Sequence, residues 1–146
     1  MPRERTETPF QRLRNALKIN KLDLDNELVE HPGHLFEVGS AYARAVSERD
    51  GQKEYLKQLE AKLSIEVREA LSSAAKKPTQ AAVSAEVEAK DEWIEARETF
   101  LDRCHEADTW AALKEAYIQR GFALNNLVQI QISNLRAEHG TSYTGP

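Results

Sequence analysis

Between Trp93 and Gln131 the side chains Trp93, Ala96, Phe100, Cys104, Ala107, Trp110, Leu113, Tyr117, Leu124, Leu127 and Gln131 recur three, four and seven apart. That period belongs to one face of an α-helix, and it predicts a helix over about 91–135. A second long run starts at Leu35. Leu35, Val38, Tyr42, Ala45 and Val46 form one apolar stripe, and Leu56, Leu59, Leu63, Val67, Ala70 and Ala74 form another. The polar stretch Ser47–Glu54 lies between them, so the spacing predicts a helix over 35–75 with either a kink or a solvated section near Gly51. Forty helical residues extend about 60 Å, and two such helices alone leave much of their apolar surface wet. The expected fold is all-α: a long antiparallel helical hairpin that oligomerises, ring-like, to cover what remains.

The ends and joints follow from local chemistry. Residues 1–9 contain Pro2 and Pro9 and lack periodicity, which predicts a flexible arm. Phe10, Leu13, Ala16 and Leu17 share a face and predict a short helix over Phe10–Ile19. Asp23 and Asp25 suit helix caps, and Pro32-Gly33 reads as a breaker ahead of the first long helix. Ser72, Ser73, Lys76, Lys77 and Pro78 predict its end, and Thr79 predicts the N-cap of a helical segment in a bent tip over 76–90. Residues 10–137 then make one helical domain, with a disordered tail over 138–146.

Composition narrows the function classes. Hydrophobic residues make up 40%, charged residues 30% and aromatics 7% of 146 residues, the balance of helices that pack on one another. No run approaches the roughly 18–20 apolar residues of a membrane span, and the Arg-containing start has no apolar core of a secretory signal. With Cys104 as the one cysteine, no intramolecular disulfide is expected, and a cytoplasmic location is.

Charge is distributed unevenly from Lys114 to Leu135. Lys114, Glu115 and Arg120 carry charge there, and nothing after Arg120 does. Phe122, Ala123, Leu124, Leu127, Val128, Ile130 and Ile132 cover more than one helix face, and the polar residues among them are Asn, Gln and Ser. Uncharged amides cost far less to bury than Lys or Glu, so the segment reads as a subunit interface. Its candidate residues are Tyr117, Arg120, Gly121, Phe122, Leu124, Leu127, Val128 and Ile132. Gly121 is expected to admit a neighbouring helix while Phe122 inserts into it. The alternative is a monomer that folds its N-terminal helix over the same surface.

A catalytic constellation is not apparent in the pattern. His31 and His34 flank Pro32-Gly33 without further ligands spaced to complete a metal site. Cys104 and His105 diverge by about 100° on a helix, which suits packing better than a nucleophile–base pair. The glycines are scattered, with no phosphate cradle. No enzyme activity, cofactor or metal is expected.

Net charge is −4, but residues 51–78 carry six basic and four acidic groups. Lys53, Lys57, Lys62, Arg68, Lys76 and Lys77 are therefore the candidates for contacting phosphates, a weak site in one copy and a stronger one when repeated around an oligomer. Tyr55 lies among them as a stacking or a packing residue.

Two stretches resemble the UvsY family of phage recombination mediator proteins. "KEAYIQRGFALNNL", Lys114–Leu127, is similar to that family's C-terminal helix with its Arg-Gly-Phe-Ala run. "YLKQLEAKLSIEVREAL", Tyr55–Leu71, is similar to its central helix, with Arg68 on a basic position. The resemblance spans roughly residues 19–135. It implies a cytoplasmic ring, a heptamer, that binds single-stranded DNA and contacts both a RecA-like recombinase and a single-strand-binding protein. Two rival expectations stand beside it: an oligomeric helical scaffold with no nucleic-acid role, and an acidic DNA mimic using "EVEAKDEWIEARETFLD".

Overall fold

The structure is a computed structural model and describes residues 6–73 and 77–140. It is all-α: four helices and no strand among the described residues, with the two long helices packed closely as a hairpin. Helix α1 spans Pro9–Asn15, α2 Leu24–Ser72, α3 Gln80–Glu88 and α4 Asp91–Gly140. The expected hairpin is present, and so are the short first helix and a helix in the tip. No described helix is long and apolar enough to cross a membrane.

Helix ends form where the caps are. The Thr8 hydroxyl accepts from the Gln11 amide and the Gln11 side-chain oxygen accepts from the Thr8 amide, a reciprocal cap with Pro9 at the first helical position. Thr79 caps α3 by accepting from the Ala82 amide at 3.2 Å, as its position predicts. Asp23 stands just before α2, and its carbonyl accepts from the Glu27 amide.

The expected break at Pro32-Gly33 does not occur. Helix α2 begins eleven residues earlier than predicted and runs straight through both positions. Pro32 and Gly33 face solvent, so water can bond the carbonyl that Pro32 leaves without a donor. The opposite face holds the helix together, because Leu24, Glu27, His31, His34 and Val38 recur three and four apart and all face protein. That stripe is polar at three of five positions, which hid it from a search for apolar period. Helix α1 ends at Asn15, short of Ile19, and α4 continues past 137 to Gly140. The remainder of the expected tail lies outside the described residues.

The packing gathers into two compact units. One comprises residues up to Ala41 together with those from Ala111 onward. There α1 buries Leu13 completely, with Leu24, Val38, Leu113, Tyr117 and Leu124 also buried. The other unit, Tyr42–Trp110, is built around Leu59, Leu63 and Val67 of α2, Val83 and Val87 of α3, and Ala96 of α4. Trp93, Leu56 and Leu71 pack around that core, and the Arg97 guanidinium lies over the Trp93 ring at 5.6 Å. The polar stretch near Gly51 does not interrupt α2 and is largely exposed, the solvated section of the two expectations, while Gln52 donates to the Ala96 carbonyl across the helix pair at 3.2 Å.

Candidate nucleic-acid interface and assembly surface

The basic candidates divide by face. Lys57 and Arg68 are eleven apart, about three helical turns, and Lys53 is one turn before Lys57, so these three share the outer face of α2. All are exposed. Lys62 is exposed too but lies away from that row. Lys76 is outside the described residues.

Neighbouring groups already engage part of the row. Lys57 pairs with Glu54 at 3.4 Å, and Arg68 donates to the Gln80 side chain. Arg68, Ser72, Lys77, Pro78 and Gln80 line an open cleft of about 280 Å³ between the end of α2 and the start of α3. Around these cations the balance is acidic. The Tyr42–Trp110 unit holds eleven Lys and Arg against fifteen Asp and Glu. The acids concentrate on α4, where Asp91, Glu92, Glu95, Glu98, Asp102, Glu106 and Asp108 accompany only Arg97 and Arg103. All seven carboxylates are exposed.

The predicted interface residues separate into an inner and an outer set. Tyr117, Arg120 and Leu124 are buried by the chain itself, with exposures of 0%, 5% and 1%. They are core residues of the chain, not the subunit-contact residues expected, because no surface of theirs is left for a second copy to cover. The chain's own N-terminal segment bonds to the first two of them. The Tyr117 hydroxyl donates to the Leu13 carbonyl at 2.6 Å, and Arg120 Nε donates to the Leu17 carbonyl at 3.1 Å. Gly121, Leu127 and Val128 are half-buried, whereas Phe122 and Ile132 are exposed. Phe122 follows Arg120 by two residues, about 200° of helical turn, so it faces outward as Arg120 faces inward.

Arg120 anchors a polar cluster at the centre of this unit. One guanidinium nitrogen pairs with Glu27, another donates to His31 Nδ1 at 3.1 Å, and the ring of Tyr117 lies 5.9 Å from the guanidinium carbon. Glu27 also accepts from the Asn20 amide at 2.9 Å, so it fastens the segment joining α1 to α2 as well as Arg120. Arginine has no acceptor, so His31 Nδ1 must carry the lone pair and Nε2 the hydrogen in the neutral ring. His31 stacks on Tyr117 with centroids 6.0 Å apart, and His34 meets the same ring edge-on at 5.9 Å. Burial lowers the His31 pKa from its usual 6.5, with Arg120 and His34 adding to the effect against a smaller opposing pull from Glu27. Burial likewise raises the Tyr117 phenol above 10.

The same cluster explains Gly121. A Cβ there would lie 2.8 Å from His31 Nε2. The close approach expected at Gly121 is made by α2 of the same chain, and Phe122 beside it is exposed. Sequence reasoning singled out Arg120 and Gly121 and missed Glu27, His31 and His34, their partners. The three-four spacing on either side of Pro32 was the available signal.

Beyond Leu124 the surface of α4 opens. Every residue from Gln129 to Gly140 is exposed, including Ile130, Ile132 and Leu135. Leu24, Leu127, Ile130 and Leu135 floor a groove of about 340 Å³ that Lys21, Gln131, Asn134 and Glu138 rim. Among the described residues no group of three or more His, Cys, Asp or Glu is placed to hold a metal ion. No family model, curated protein or solved structure matches this chain.

Proposed function

We propose that this protein is a non-enzymatic assembly factor of the recombination-mediator kind. In this reading copies of the hairpin associate through the outer surface of α4, and the oligomer holds single-stranded DNA on its lysines while a RecA-like recombinase displaces a single-strand-binding protein. The observation that carries the assembly half is the uncharged span from Gly121 to Leu135. It leaves Phe122 61%, Ile130 57% and Leu135 50% exposed, with amides rather than charges between them. Burying that span against another uncharged surface removes apolar area from water and leaves no ion unpaired. The DNA half rests on the exposed row Lys53, Lys57 and Arg68, on Lys77 beside Arg68, and on the resemblance of Lys114–Leu127 and Tyr55–Leu71 to the UvsY family. A single copy offers few phosphate contacts; repetition along one strand multiplies them.

One observation favours a second reading. The seven exposed carboxylates between Asp91 and Asp108 suit an acidic mimic that occupies the basic DNA site of another protein. A titration with a fluorescent single-stranded oligonucleotide across salt separates the two. A mediator binds, and its affinity falls with a clear negative slope in log salt. A mimic shows no binding and instead displaces the oligonucleotide from a basic partner. Absence of binding at low salt, with sedimentation finding one copy at every concentration, defeats the mediator reading.

A further inference from the structure

The geometry points to α1 and its following turn as a detachable strap on α4, released when His31 takes up a proton at Nδ1.

Named contacts tie the strap to both long helices. Its seven helical residues bury one side chain completely, Leu13. Its backbone is fastened to α4 by the bonds from Tyr117 to the Leu13 carbonyl and from Arg120 to the Leu17 carbonyl. Arg12 adds an exposed ion pair with Glu37 of α2. A helix of seven residues is too short to persist alone in water, so undocking and melting are one event.

Arg120 holds its pose through three acceptors: the Leu17 carbonyl, Glu27 and His31 Nδ1. Protonation at Nδ1 converts the third acceptor into a donor and sets two cations face to face. The imidazolium has no room to turn away easily, because its Nε2 edge lies against Gly121. The charged and titratable groups facing it are Arg120 and Tyr117 from α4 and Glu27 and His34 from α2; Arg12 of α1 and Glu37 of α2 act on Tyr117. Glu27 alone attracts the new charge, and burial, Arg120 and His34 outweigh it.

The sign follows from linkage. Burial first, then Arg120 and His34, lower the His31 pKa in the folded chain. Undocking that frees Arg120 from the Leu17 carbonyl and admits water relieves those effects, so the undocked state protonates first as pH falls. The His31 contribution to docking is fully present above about 6.5, the ordinary histidine value, and is lost as pH drops through the lowered one. Release exposes the Tyr117 face of α4, the same helix that carries the uncharged span. What that face then binds rests on the assembly reading; the strap itself does not.

Hydrogen exchange on the full chain between pH 7.5 and pH 5.0, expressed as protection factors, tests this. The Arg12 and Ala16 amides, bonded to the Thr8 and Arg12 carbonyls, report α1. They should lose protection selectively as pH falls while amides of α3 keep theirs, with a midpoint that matches the NMR titration of the His31 ring. In His31→Gln, where a side-chain oxygen accepts from Arg120 at every pH, the loss should vanish; in His34→Gln it should remain. Unchanged α1 protection in the wild type overturns the strap, as does a midpoint that follows another group, and neither result needs a variant. Sedimentation at each pH is read separately: one copy throughout defeats the assembly reading and leaves the strap standing.

Discussion

Arg120 and Gly121 are adjacent in the chain and serve one contact. Arg120 delivers its charge to Glu27, His31 and the Leu17 carbonyl, and Gly121 leaves the space that the His31 ring needs. Gly121→Ala improves helix propensity by about 1 kcal/mol yet pushes the ring off its hydrogen bond to a charged donor, worth about 1.5–3 kcal/mol. Urea unfolding should therefore find Gly121→Ala less stable by about 1 kcal/mol. Gly51→Ala, with open space around its Cβ, should be more stable by about the same amount. Arg120→Met leaves Glu27 partly buried without its cation, and a loss of about 3 kcal/mol is expected by the same measurement. Tyr117→Phe removes one bond to α1 and should cost about 1 kcal/mol. The importance of Arg120 and Gly121 was legible in the sequence, since a lone arginine and a mid-helix glycine both break the local pattern. Their partners were not legible, because a spacing of three and four says which residues share a face and nothing about which helix that face meets.

Elements were read well where a cap or an apolar period marked them. Thr79 and the Val83–Val87 pair announced α3, and both valines are buried in the core of their unit. Val83→Ala should lower stability by about 2 kcal/mol through the lost methyl groups and the void they leave, whereas Thr79→Ala should cost about 1 kcal/mol through the cap alone. Thermal unfolding followed by circular dichroism distinguishes the two magnitudes. The start of α2 departs from the sequence expectation for a physical reason. Proline forbids one hydrogen bond, a local cost of about 3 kcal/mol in a helix interior, and sequence rules count only that cost. Leu24, Glu27, His31, His34 and Val38 supply the opposing tertiary contacts along one face, and they carry the helix through Pro32.

At the scale of the whole molecule, the uncharged span of α4 has an inner side closed by the chain and an outer side left open. On the assembly reading proposed above, Phe122→Glu places a charge on the open side, so the isolated fold should be unaffected while self-association is lost. Sedimentation with a far-UV spectrum as the folding control reads both. An unchanged assembly would move the interface elsewhere. The monomeric alternative for this surface holds in part, since α1 does cover Tyr117. It holds only in part because seven helical residues cannot reach Ile130, Ile132 and Leu135 as well.

Period, caps and composition determined by themselves that this chain is a helical hairpin, because those signals act between residues within a few turns of each other. Tertiary structure decided what Arg120 grips, why Gly121 is tolerated and where α2 begins. Each of those depends on residues some ninety positions apart, such as Glu27 and Arg120, meeting across two helices. Pairing at that range is set by packing free energy summed over whole faces, a quantity no local window contains.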